Sequence, residues 1–190
     1  MISKKFSFLK HNRISFKEYS LVPLRKRDIQ KIRKWRNEQI NVLRQKTPLT
    51  KEDQIRYYDS IIRKSFYRNE PDVILFSFLY NKECIGYGGL VHIDWNSKVG
   101  EVSFVNDTDR TKSNTEHKKD FSIFLKLIFN IAFDDIHLNK LVTETYDIRP
   151  AHLKILENSG FKRIKRMNNS KNIIDGKIVD SIFHECKNLG

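Results

Sequence analysis

The sequence predicts an α/β fold: a mixed, mostly antiparallel sheet with flanking helices. Three observations predict it. Apolar residues switch between helical and strand-like spacing along the chain. Strand-like runs follow one another between residues 73 and 106 with only turn residues between them, which marks an antiparallel meander. Later strands are separated by helical stretches, so their connections cross over and one pair is parallel. A chain of 190 residues fits one domain.

Residues 1–19 are basic and aromatic without a clear period, and are read as an extension ahead of a single domain at 20–187. Tyr19–Leu24 is the first strand, closed by Pro23. Asp28 is placed to cap a helix reaching Glu38, with Ile29, Ile32 and Trp35 at helical spacing. Thr50 and Asp53 form a capping box for a helix with Ile55, Tyr58, Ile61 and Ile62 on one side. Val73–Tyr80, Cys84–Ile93 and Val99–Asn106 are strands, turned at Asn81-Lys82 and at Trp95-Asn96-Ser97. Thr108–Lys119 is polar with no apolar anchor and reads as a loop. Phe121–Phe133 is an apolar, buried helix, and Leu141–Tyr146 a strand. Pro150 suits the first turn of the next helix, and Gly160 its C-terminal cap. Phe161–Met167 and Lys177–Cys186 are closing strands joined through Asp175-Gly176.

Lys and Arg number 36 against 23 Asp and Glu, a net charge of +13 that favours anionic partners without choosing among them. Hydrophobic residues are 39% of the chain, enough for a core and against global disorder. Cys84 and Cys186 have no metal-ligand spacing and read as free thiols. No apolar run is long enough to span a bilayer, and the N-terminus lacks the apolar segment of a secretory signal. A cytoplasmic protein is expected. No nucleic-acid-binding motif accompanies the basic charge, which disfavours an RNA- or DNA-binding module.

Four segments carry a family resemblance. They are Leu21-Val22-Pro23-Leu24 with Asp28 and Trp35-Arg36-Asn37; Ile85-Gly86-Tyr87-Gly88-Gly89 with Asp94-Trp95 and Gly100-Glu101-Val102-Ser103-Phe104; Ile131-Ala132-Phe133 with Leu138-Asn139-Lys140-Leu141; and Pro150-Ala151-His152 through Gly160-Phe161. In order and spacing they resemble the GNAT N-acyltransferases, in the branch of the ribosomal-protein and nucleotide-amino-sugar acetyltransferases. The Trp-Arg-Asn segment is most similar to amino-sugar enzymes of the pseudaminic-acid type.

The resemblance implies a central parallel pair splayed at the acyl-donor site and acetyl-CoA as co-substrate, with no metal. It implies acyl transfer to an amine, most of all that of a nucleotide-linked amino sugar in surface-glycan synthesis. Backbone of Ser103, Phe104 and Val105 would hold the pantetheine arm and polarise the thioester carbonyl. Glu101 would take the amine proton. Lys118, Lys119, Asp120, Phe121 and Ser122 occupy the place of the family's pyrophosphate loop, but contain no glycine. Leu156 stands where many members have the tyrosine that protonates the leaving thiolate, and Arg149 where many have a cofactor-contacting asparagine. Tyr146, Tyr87 and His152 are the remaining candidate acids, and His152 is kept as a donor-side contact with Arg149. Three readings of the donor stay open: coenzyme A held by lysine charge, an acyl carrier protein, or a fold that only binds. The acceptor set is Arg36, Asn37, Glu38, Arg44 and Gln45 around a turn, with Tyr87, His92 and Asp94. Arginine suits a diphosphate because its planar fork matches phosphate oxygens. A protein N-terminus is the alternative acceptor, and a homodimer is compatible with the sequence.

Overall fold

The computed structural model describes residues 6–168, 173–174 and 177–188. Strands β1 (Ile14–Phe16) and β2 (Tyr19–Pro23) open the chain, followed by helix α1 (Ile29–Glu38), α2 (Lys51–Tyr57), a π-helical turn at Tyr58–Ile62 and α3 (Arg63–Ser65). The meander is β3 (Ile74–Tyr80), β4 (Glu83–Asp94) and β5 (Val99–Asn106). Helices α4 (Thr108–Thr111) and α5 (Asn114–Phe129) lead to β6 (Lys140–Tyr146). Then come α6 (Pro150–Asn158), β7 (Lys162–Met167), the short pair β8 (Ile173–Ile174) and β9 (Lys177–Ile178), and β10 (Ser181–Lys187).

The main sheet has the order β1-β2-β3-β4-β5-β6-β10-β7. Every neighbouring pair is antiparallel except β5 and β6. The parallel pair is short, matching Val99 to Lys140, Gly100 to Leu141 and Glu101 to Val142. Beyond Glu101 the two strands part, while β5 stays paired to β4 as far as Asn106 and β6 stays paired to β10 as far as Tyr146. The sheet is thus split at its centre, and the split opens towards the C-terminal ends of both strands.

Packing holds this split in place. Phe104 stacks on Phe121 with ring centres 4.9 Å apart, and Phe124 lies 4.4 Å from Phe104. Gly88 makes the fit possible, since a Cβ there would stand 2.2 Å from the Ser103 carbonyl oxygen and 2.7 Å from the Phe124 ring. Gly160 ends α6 at φ +99°, a conformation that favours glycine, as its position in the sequence predicts.

Several expectations are corrected. Thr108–Lys119 is not a loop. Ser113 caps α5 by accepting from the Glu116 N–H, and His117 and Asp120 are buried on the same face as Phe121 and Phe124. The polar start of α5 buries its charge in pairs, which hides it from a search for apolar period. The Asp28 side chain does not cap α1; it accepts from Arg25 and from the Ser77 hydroxyl. The Thr50–Asp53 capping box does form. The four apolar residues do not share one buried side: Tyr58 and Ile62 of the π turn are buried, while Ile55 of α2 and Ile61 are exposed. Phe6 and Leu9 join the core, and β1 extends the sheet ahead of Tyr19. The last strand begins at Ser181, because Lys177 and Ile178 pair instead with Ile173 and Ile174; the predicted Asp175-Gly176 turn lies outside the described residues. No helix among the described residues is long and apolar enough to cross a membrane.

Candidate active site

The split between β5 and β6 encloses a cavity of about 410 Å³. One wall is Glu101–Val105 of β5 and another is Thr143–Tyr146 of β6. Arg149, just before α6, and His152 and Leu156 of α6 close one end with Phe121, while Val42, Leu43 and Arg44 of the α1–α2 linker cover the other with Arg36 and Tyr57.

At the linker end, two carboxylates share a cation. Glu101 accepts from Arg44, and also meets His92 Nδ1 at 2.8 Å. The same Arg44 guanidinium donates to Glu144 at 2.6 Å, and Glu144 accepts from the Ser181 hydroxyl at 2.7 Å. Val142 is the β6 partner of Glu101, and Glu144 lies two residues further along, so both carboxylates face the same side. Tyr146 follows on that side and lines the cavity; its hydroxyl has no hydrogen-bond partner among the described residues. Burial first, and then the charge of Glu144, raise its pKa above the ordinary phenol value.

At the α6 end, rings are packed flat. His152 stacks on Phe121 at 4.1 Å, and His117 Nε2 lies 3.3 Å from His152 Nδ1. Burial removes the water that would solvate an imidazolium. It is the largest cause that lowers the pKa of His117 to about 4 and that of His152 well below 6.5, with Arg149 adding to both. Both rings are neutral at physiological pH.

The cavity therefore offers an unpaired strand edge, two carboxylates bridged by Arg44, a protonated phenol and the Arg149 guanidinium, which has no side-chain partner among the described residues. The set fits a thioester donor beside an amine acceptor. The acetyltransferase (GNAT) domain family matches residues 21–182 of the chain. The chain belongs to this family. Solved structures show the same fold. A spermidine N-acetyltransferase from Vibrio cholerae in complex with CoA and spermine superposes with a TM-score of 0.76 at 14% identity, covering 90% of this chain and 96% of that one. A probable acetyltransferase gives 0.72 at 14% identity, covering 92% and 96%. A search of curated protein sequences finds no match. As a GNAT enzyme, the chain is an N-acetyltransferase whose donor is acetyl-CoA.

The acetyltransferase cavity takes in part of each set expected from the sequence. Glu101 and Tyr146 line it, as do Ser103, Phe104, Val105, Phe121, Arg149 and His152. Lys118, Lys119, Asp120 and Ser122 do not line it, although Phe121 between them does. Lys119 sits over the Tyr19 and Tyr80 rings, and Asp120 is fully buried, paired with Arg110 at 2.6 Å and accepting from Tyr19 and Asn106. On the acceptor side Arg36, Arg44 and His92 line the cavity. The Tyr87 hydroxyl accepts from Arg36, which also donates to Gln45. Asn37 grips the linker, donating to the Leu49 carbonyl and accepting from the Leu49 N–H and from Gln45. Glu38 pairs with Lys34 one turn back. Asp94 accepts from the N–H groups of Asn96 and Ser97, closing the hairpin. Glu144 was missed by the sequence reading. Its alternation with Val142 and Tyr146 on a strand beside that of Glu101 was the available signal.

Proposed function

We propose that this acetyltransferase acetylates a small cationic amine, of the polyamine kind, with Glu101 as general base. The observation that carries the reading is the pair of carboxylates, Glu101 and Glu144, spanned by one guanidinium at the cavity's linker end. Arg44 occupies the position that a substrate ammonium group would take between them. A diamine can set one nitrogen by Glu101 and a second charge by Glu144 once Arg44 moves aside. Spermine and CoA bound by a structural neighbour are in keeping with this choice.

In the reaction the neutral amine attacks the thioester carbonyl carbon. A C–N bond forms, the C–S bond breaks, and Glu101 accepts the amine proton. The unpaired β5 backbone beyond Glu101 lies beside the developing oxyanion. Tyr146, kept protonated by burial, donates to the leaving sulfur and regains its proton from water. A thiol of pKa ~8.5 leaves readily as thiolate, so the demand on Tyr146 is small.

Less supports the nucleotide-linked amino sugar favoured by the sequence, since Arg36, Asn37 and Gln45 are engaged with one another and with Tyr87. The setting is a compartment that supplies acetyl-CoA and keeps thiols reduced, the cytoplasm. Thiol release from acetyl-CoA tests the reading with spermidine, nucleotide-linked amino sugars and an N-terminal peptide as acceptors. Turnover of spermidine above the others is expected. Turnover confined to an amino sugar or a peptide would overturn the acceptor class.

A further inference from the structure

His92 reaches Glu101 only because its strand carries an extra residue. Val91 and Glu101 stand opposite each other across β4 and β5, so their side chains share the cavity side of the sheet. A regular strand alternates its faces and would send His92 to the other side, where Leu90 is buried in the core. The register instead shifts: from Val91 to Asp94 β4 takes one residue more than β5 takes from Glu101 to Val99. His92 takes up the extra step at φ +48°, a left-handed conformation that glycine meets at less cost. Val91 and His92 are consecutive, yet both line the cavity. Bulges beside active sites re-aim side chains in this way.

The bulge delivers a hydrogen bond to the carboxylate. His92 Nδ1 lies 2.8 Å from Glu101 Oε2, and Arg44 donates to Oε1, so each oxygen has its own partner. The His92 side chain is 75% exposed against 13% for Glu101, so packing does not account for its place. The charged groups facing the pair are Arg44 of the linker and, through it, Glu144 of β6. An amine that takes the place of Arg44 frees Oε1 and leaves Oε2 held.

We propose that His92 is a positioning residue: its Nδ1–H fixes one oxygen of Glu101 and so turns the other towards the acceptor amine. The inference rests on the reading of Glu101 as general base. A glutamate side chain turns about several bonds, and holding it in the orientation that takes the proton removes that freedom before the reaction.

Thiol release from acetyl-CoA with spermidine tests it, beside melting temperature and acetyl-CoA affinity. His92→Gly removes the ring and suits the left-handed backbone, so melting at or above the wild-type temperature is expected. Its kcat should fall about tenfold to a hundredfold, as for loss of a charge-assisted hydrogen bond, with donor affinity unchanged. His92→Asn sets a side-chain N–H at the place of Nδ1 and should recover part of the loss. His92→Asp, of the same size but without the donor, should not. In a Glu101→Gln background His92→Gly should cost nothing more, since it acts through that carboxylate. Wild-type kcat in His92→Gly would mean that the residue serves only the turn, and would overturn the proposal. Equal rates for His92→Asn and His92→Asp would overturn it too, and that comparison decides should His92→Gly fail to fold. An equal loss from His92→Gly in both backgrounds would place its effect elsewhere and overturn it as well. Glu101→Gln turning over at the wild-type rate overturns the general-base reading, and this role with it. A wild type that acetylates an amino sugar or a peptide in place of spermidine overturns the polyamine reading alone, and the same variants then decide the role of His92 on that acceptor.

Discussion

At the scale of single residues, the cavity separates charged work from neutral packing. Glu101 keeps its carboxylate at the surface of the split, whereas His117 and His152 are pressed against Phe121 and kept uncharged. His117 ionises near pH 4 in the folded protein against 6.5 for a free histidine. Between those values the unfolded chain binds more protons, so stability is fully present above pH 6.5 and declines as pH falls towards 4. His152 and His184 are shifted the same way by burial. His117→Gln should therefore show a shallower fall of melting temperature between pH 6.5 and 4, measured by thermal denaturation; an unchanged slope would remove His117 from the acid response. Much at this scale was legible. Glu101 and Arg149, both singled out through the family resemblance, line the cavity. The roles of Arg36, Asn37 and Gln45 were not legible, because a polar cluster at a turn looks the same whether it faces a ligand or ties down its own linker.

At the scale of elements, the site depends on a sheet that is well paired on both sides of a gap. Gly88 sets how closely β4, β5 and α5 approach. A methyl group there must push against the Ser103 carbonyl, on the strand that lines the cavity. Gly88→Ala should cost about 1–3 kcal/mol of stability by denaturant unfolding, as expected for overpacking. It should also weaken acetyl-CoA binding, and stability equal to wild type would show that the neighbours give way freely. The strands of the meander and the C-terminal cap at Gly160 were legible, since they rest on local period and backbone preference. The first two turns of α5 were not. Asp120, buried there, is satisfied by Arg110, Tyr19 and Asn106, and His117 meets His152, partners brought together only when the fold forms. The helix start was placed later than Asn114, so Lys118, Lys119, Asp120 and Ser122 were expected in the place of the family's pyrophosphate loop, whereas they lie within α5.

At the scale of the whole molecule, the net charge of +13 does not gather into the cavity. Much of it is spread over exposed surface, as on β7, where Lys162, Arg163, Lys165 and Arg166 lie at the sheet's edge and two of them pair with acidic neighbours. The cavity instead sets two carboxylates bridged by Arg44 at one end and, at the other, the Arg149 guanidinium, which has no partner among the described residues. Fold class could be read from the order of elements, but this polarity could not, because it depends on which strand faces fall on either side of the split. The most direct test is the initial rate of thiol release from acetyl-CoA with spermidine, for wild type and Glu101→Gln, alongside acetyl-CoA affinity. General-base loss predicts a fall of about 10²- to 10⁴-fold in kcat with donor affinity unchanged. A Glu101→Gln enzyme that turns over spermidine at the wild-type rate would contradict the account.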